Sequence, residues 1–186
     1  MRRRFLLAGP LLLAACSSPN PNFYTLRAVP GPVLNGGVKL VELRRIGLAG
    51  YLDRPEIVRT QADYRLSIGS EDHWGEPLGA LVARTLAEDL NLRLPGTSVF
   101  TSQGSISADP DMTVELDLQR FDADATGQVV LLAQVAVTRT PARDHAAAQT
   151  VRLVVTPTAA TTTALVAALS AALGQLADRV APMLVR

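Results

Sequence analysis

With 18 Lys plus Arg against 17 Asp plus Glu in 186 residues, the chain carries a formal charge of +1 and interleaves its charges, which excludes the dense basic surface needed to neutralise nucleic-acid phosphates. One cysteine cannot close an internal disulfide, and one thiol with two distant histidines cannot build the Cys/His cluster of a zinc site. The length suits one domain, and an apolar content of 48% supplies its core.

The first sixteen residues read as an address. Arg2, Arg3 and Arg4 form a positive start, Phe5 to Leu13 an apolar stretch broken by Gly9-Pro10, and Ala14-Ala15 the small residues of a cleavage site. The apolar stretch is too short to span a bilayer as a stable helix. Leu13-Ala14-Ala15-Cys16 resembles the lipobox of bacterial lipoproteins, whose cysteine receives a diacylglycerol on sulfur and, after cleavage, an acyl chain on its new amino group. Cys16 is therefore the expected lipid attachment site and residues 1–15 the signal peptide. Losing those residues with their three arginines leaves 171 residues with 15 basic and 17 acidic groups. At ~0.8 kcal/mol per buried CH₂, three acyl chains hold a protein firmly where one binds only marginally. In such lipoproteins an Asp after the cysteine favours retention in the inner membrane; Ser17 implies the outer membrane, facing the periplasm.

Residues 16–22 comprise the lipidated cysteine and a polar tether, Ser17 to Asn22, with two prolines that favour extended geometry. At ~3.3 to 3.6 Å per residue the tether reaches about 20 Å, so the domain that follows is held close beneath the membrane.

Residues 23–186 show no internal repeat and read as one domain. Short strands are expected at Tyr24 to Arg27, Val38 to Leu43, Ile57 to Arg59 and Tyr64 to Ile68, with a Pro/Gly loop from Pro30 to Gly37. The connection Gly50 to Arg59 carries Tyr51, Leu52, Asp53, Arg54 and Pro55, a candidate partner interface, because Tyr and Arg are favoured at the buried centres of interfaces. The competing reading is a structural loop that tucks Tyr51 and Leu52 onto the core and bonds Asp53 to Arg54.

Leu78, Leu81, Val82, Leu86 and Leu90 share one helical face, with Arg84, Glu88 and Arg93 on others, Pro77 at the start and Pro95-Gly96 at the end. After a strand at Ser98 to Thr101, strict alternation marks strands at Met112 to Gln119 and Val129 to Val137, joined by a turn within Asp122 to Gly127. Pro141 to His145 leads to a third strand, Ala147 to Val155, completing an antiparallel meander. A second helix, about Thr161 to Leu184, aligns Leu165, Leu169, Leu173, Leu176, Val180 and Met183. The expected fold class is α+β: a mostly antiparallel sheet with two main helices packed on one face. The uncharged stretch Leu153 to Ala177 is long enough to cross a bilayer, but its Pro157, five threonines and periodic bulky residues favour a strand running into a core-facing helix.

Chemistry-bearing constellations do not emerge. His73 and His145 lack the i, i+4 partner of a helical metal site and read as loop positions. Serines such as Ser102 and Ser105 lack the G-x-S-x-G elbow, no phosphate-binding glycine loop is present, and Asp117, Asp122 and Asp124 lack EF-hand spacing. No catalytic residue, metal or cofactor is expected.

Four features together resemble the ABC-type transport auxiliary lipoproteins: the lipobox ending at Cys16, Phe23-Tyr24-Thr25-Leu26, Tyr51-Leu52-Asp53-Arg54-Pro55-Glu56-Ile57-Val58, and Trp74-Gly75-Glu76-Pro77-Leu78 opening a helix. The chain departs from that group in the abundance of Ala and Thr around its last helix. The resemblance implies a non-catalytic accessory subunit of a transporter built from an inner-membrane permease, a cytoplasmic ATPase and periplasmic mammalian-cell-entry (MCE) proteins that bridge the membranes. Such lipoproteins are thought to dock the far end of that bridge, in some members as a homo-oligomeric ring, supporting lipid transfer and envelope integrity. Two other readings stand beside it: a lipoprotein holding a lipid or polysaccharide in a groove between sheet and helices, and an envelope hydrolase, for which the sequence shows no polar cluster.

Overall fold

Alternating apolar residues from Met112 onward build the spine of the molecule. The computed structural model describes residues 20–140 and 147–185. Its elements in chain order are β1 (Asn22–Tyr24), β2 (Leu40–Leu43), β3 (Gly47–Leu48), β4 (Glu56–Thr60), β5 (Leu66–Trp74), α1 (Leu78–Arg93), β6 (Ser98–Thr101), β7 (Met112–Ala123), β8 (Val129–Arg139), β9 (Ala147–Val155) and α2 (Thr162–Val180), closed by a 3-10 turn at Ala181–Leu184.

Along one edge of β7, β8 pairs antiparallel from Met112↔Arg139 to Ala123↔Val129, and β9 pairs antiparallel with β8 beyond it. The turn between β7 and β8 closes where Asp124 accepts the Gln128 N–H, and Gly127 sits at φ +82, a region other residues enter only at a cost. The opposite edge of β7 is shared by three short strands: β2 at Met112–Val114, β3 at Asp117–Leu118 and β4 at Ala123, all parallel to it. β6 extends the sheet past β2, and β5 then β1 extend it past β4. The long pairings are antiparallel and the short ones mostly parallel, giving a mixed sheet within the expected α+β class. Short parallel strands are hard to read in sequence because each offers too few alternating positions.

Both helices bury their apolar stripes against the sheet. Leu81, Leu86 and Leu90 of α1 and Leu165, Leu169, Leu173 and Leu176 of α2 meet Val114, Leu118, Leu131 and Ala133 in one core. Thr161 caps α2, its side chain accepting the Ala164 N–H at 3.2 Å. The segment Thr162–Leu184 is long and apolar enough to cross a membrane, yet most of its apolar stretch is buried inside the domain. Its hydrophobic face is already engaged, so core packing accounts for the uncharged stretch.

The structure revises four local expectations. β1 stops at Tyr24, and residues 25–38 form a strap bonded to both helices: Arg27 N–H donates to Ser170 Oγ, Val29 N–H to Asp89, Leu34 N–H to the Arg93 carbonyl and Val38 N–H to the Leu184 carbonyl. β5 continues through Trp74, so His73 lies in the sheet, paired with Phe23 and Glu56, rather than in a loop. Tyr64 falls outside β5 and adopts φ +64 in the turn before it. Arg93, expected on the polar side of α1, is 1% exposed. Pro141 to His145 lies outside the described residues.

Candidate docking loop and anchor

Cys16 and Ser17 to Pro19 lie outside the described residues, which begin at Asn20 within the expected tether. Its junction with the domain is strongly held. The Asn22 amide donates to Asp72 Oδ1 at 3.2 Å, the Thr162 hydroxyl donates to Asp72 Oδ2, and Arg59 Nη2 donates to Thr162 Oγ1 at 2.9 Å. β1, β4, β5 and the start of α2 therefore meet at one carboxylate. The Thr162 hydrogen bond holds that carboxyl below its ordinary range.

The candidate loop spans the gap between β3 and β4 along the edge of β7. Its path is set by backbone hydrogen bonds: Ala49 N–H to the Leu118 carbonyl, Leu52 N–H to Ala49, Arg54 N–H to Leu52, and Trp74 N–H to the Pro55 carbonyl at 2.7 Å. Leu52 is 2% exposed and belongs to the core. Tyr51 is partly buried, and its hydroxyl donates to Asp122 Oδ1 at 3.2 Å. Asp122 is fully buried and also accepts the Thr60 hydroxyl and Arg120 Nε, the latter at 3.1 Å. Burial, reinforced by the Asp122 carboxylate, pushes the Tyr51 hydroxyl up to about 12.

Arg54 is partly buried with its Nε enclosed and lacking a hydrogen-bond partner among the described residues, and no ion pair there joins it to Asp53. Asp53 and Pro55 are the exposed members. The loop thus combines features of both sequence readings: its first half is fastened to the core, and Asp53 and Pro55 face outward on either side of the partly buried Arg54. Sequence reasoning placed Asp122 at a turn and did not pair it with Tyr51, because the two are 71 positions apart and meet only through strand pairing.

A second buried polar cluster locks the strap. Arg93 donates Nε to Asp178 Oδ1 at 2.7 Å, Nη1 to the carbonyls of Val29 and Asp89 at 2.9 Å each, and Nη2 to the Gly174 carbonyl at 2.9 Å. Asp89 accepts the Val29 N–H at 2.7 Å while its Oδ2 is buried without a partner among the described residues. A Cβ on Gly31 would lie 2.2 Å from Arg93 Nη2 and 2.5 Å from Asp178 Oδ1, so any side chain here would have to displace the Arg93–Asp178 pair. Burial pushes the Asp89 carboxyl up to about 6.

A folded-state value raised above the ordinary 3.8 favours the protonated form, so Asp89's contribution to stability is full below about pH 3.8 and lost as pH rises through 6. Between pH 4 and 7 the contribution of this group should fall by about 2–3 kcal/mol. Urea midpoints across that window, compared with those of Asp89→Asn, should differ in slope accordingly. Asp72 and Asp124, held below the ordinary range, act with the opposite sign and only on further acidification.

Two grooves lie outside the sheet–helix core. A groove of about 920 Å³ on the solvent side of the sheet is lined by Glu42, Arg44, Asp117, Gln134, Gln149 and Thr150. Its charges are partly neutralised by the Arg44–Glu115 pair. A smaller groove of about 570 Å³ runs between α1 and β6, lined by Ala83, Ala87, Phe100 and Ile106 among others.

Residues 24–181 match the model of a protein family described as the ABC-type transport auxiliary lipoprotein component. Over 136 residues, 70% of this chain and 71% of the relative, the sequence is 27% identical to the intermembrane transport lipoprotein PqiC of Escherichia coli K12. The PqiC of Shigella flexneri matches over the same span with the same identity. A crystal structure of an uncharacterized protein superimposes with a TM-score of 0.73 at 18% identity, covering 89% of this chain and 99% of that one. A Xanthomonas campestris protein does so with a TM-score of 0.72 at 17% identity, covering 88% and 95%. At these identities the two structures establish a shared fold.

Proposed function

The chain belongs to the ABC-type transport auxiliary lipoprotein component family, and from that premise we propose that it is a non-catalytic accessory subunit of an MCE/ABC-type intermembrane lipid transport system, anchored through Cys16 to the periplasmic face of the outer membrane. The observation that carries this reading is the family match from residue 24 to 181, beginning directly behind a lipobox and a short tether. The similarity to PqiC, an intermembrane transport lipoprotein, supports the same role. ATP hydrolysis belongs to a partner, and this chain contributes a fixed docking surface at the membrane. Asp53 and Pro55 are the part of the candidate loop that a partner can reach.

Packing argues against a lipid or polysaccharide held between sheet and helices. That space is filled by leucines such as Leu81, Leu90, Leu173 and Leu176, all fully buried. Affinity capture of the lipidated protein from solubilised membranes should enrich an MCE-domain protein together with the permease and ATPase. Their absence from captured material, under conditions that keep an MCE–permease complex intact, would refute the proposal. A Cys16→Ala chain should be lost from the outer-membrane fraction, since the acyl chains that would hold it there cannot be attached. Outer-membrane retention at the wild-type level would rule out lipidation at Cys16.

A further inference from the structure

We propose that the β4–β5 hairpin tip, Tyr64 with Leu66 and Ile68, rests in the head-group region of the bilayer that holds the tether. The proposal rests on the lipoprotein reading above.

Tyr64 is 100% exposed and holds φ +64, a left-handed conformation that costs a bulky residue on the order of 1 kcal/mol or more. No contact within the domain compensates for placing an aromatic ring there. Leu66 and Ile68 are 41% and 40% exposed and Phe23 is 69% exposed. Three of the eight exposed large hydrophobics among the described residues thus sit together at the β4–β5 tip, while Phe23 lies at the other end of β5, opposite His73.

The tether selects the occupant. β1 runs parallel to β5 in the register Asn22↔Asp72, so going back from Asn22 toward the N-terminus leads toward the hairpin tip. Six residues before Asn22 is Cys16, and six before Asp72 is Leu66. A tether continued in the β1 direction would bring the acylated Cys16 level with Leu66, two residues from Tyr64. The reach of about 20 Å leaves no slack for the domain to lift that tip clear of the lipid in this orientation.

The chemistry fits a bilayer surface. Tyrosine is favoured at membrane–water interfaces because its ring prefers the acyl boundary and its hydroxyl the water. Arg65 pairs with Asp63 at 2.6 Å, leaving the tip close to neutral, so an anionic lipid is not required.

Tryptophan fluorescence of the full-length lipidated protein in phosphatidylethanolamine–phosphatidylglycerol vesicles, with and without brominated acyl chains, tests this directly. Trp74 is the chain's one tryptophan and is buried, so it serves as the unquenched reference. Tyr64→Trp and, separately, Leu66→Trp should each lose roughly a third of their emission on bromination, while the wild type changes little. Flotation of the protein without quenching of either variant would overturn the hairpin proposal alone. So would a cross-link from position 64 to a second copy in the absence of quenching. Failure to float, with no acyl chain on Cys16, would overturn the lipoprotein reading and this proposal together.

Discussion

An Arg93→Met chain should lose about 3–5 kcal/mol of unfolding free energy, enough to consume much of the stability of a domain this size. The arginine is 1% exposed, and its guanidinium donates to Asp178 and to the carbonyls of Val29, Asp89 and Gly174. Methionine fills most of the volume but supplies no donor. The Asp89 carboxylate, 3.6 Å from Nη1, would then sit buried without its countercharge, and the strap would lose one of its attachments to α1. Equilibrium urea unfolding followed by circular dichroism measures the loss directly. Arg93→Lys should recover only part of it, because an ammonium cannot span carbonyls on two helices and the strap at once. A loss below about 1 kcal/mol would show that the cluster relaxes or hydrates on truncation.

Asp122→Ala should cost about 2–4 kcal/mol and should also loosen the candidate docking loop. One fully buried carboxylate accepts Tyr51, Thr60 and Arg120, so its removal leaves three donors without a partner across β4, β7 and the loop. Tyr51→Phe removes only one of those hydrogen bonds and should cost about 0.5–1.5 kcal/mol. If Asp53 and Pro55 carry partner contact, captured MCE protein should fall for Asp122→Ala at temperatures where the domain is still folded. Amide exchange at residues 50–54 separates a loosened loop from global unfolding. The Tyr51 contribution is full below its unfolded value near pH 10 and is lost as pH rises through about 12, so the advantage of wild type over Tyr51→Phe should shrink as pH rises above 10.

The legible parts of this fold were those whose signals are local. Strands β7 and β8 declare themselves through long alternation, and α2 through a stripe from Leu165 to Val180. The structure lengthens β7 and β8 by a few residues and shortens α2 to Val180, with a 3-10 turn taking the remainder. β3 has two residues and no periodicity to detect, and β5 carries Glu71, Asp72 and His73, which resemble a loop because much of that strand is exposed. Arg93 looked like a surface charge because a helical wheel shows what faces the sheet but not what crosses the other side. The strap at residues 25–38 turns that side into an interior.

The α+β class and the family resemblance could both be read from consecutive residues, since each depends on spacing or period within a short window. Tertiary structure decided which polar groups are buried together: Asp122 under Tyr51, Asp89 and Arg93 under the strap, and Asp72 at the tether junction. It also decided that Leu52 belongs to the core while Tyr64 stands fully in solvent. Those outcomes depend on contacts between residues about 50 to 90 positions apart. A one-dimensional pattern reports how a residue is disposed within its own element, whereas desolvation depends on what packs over it.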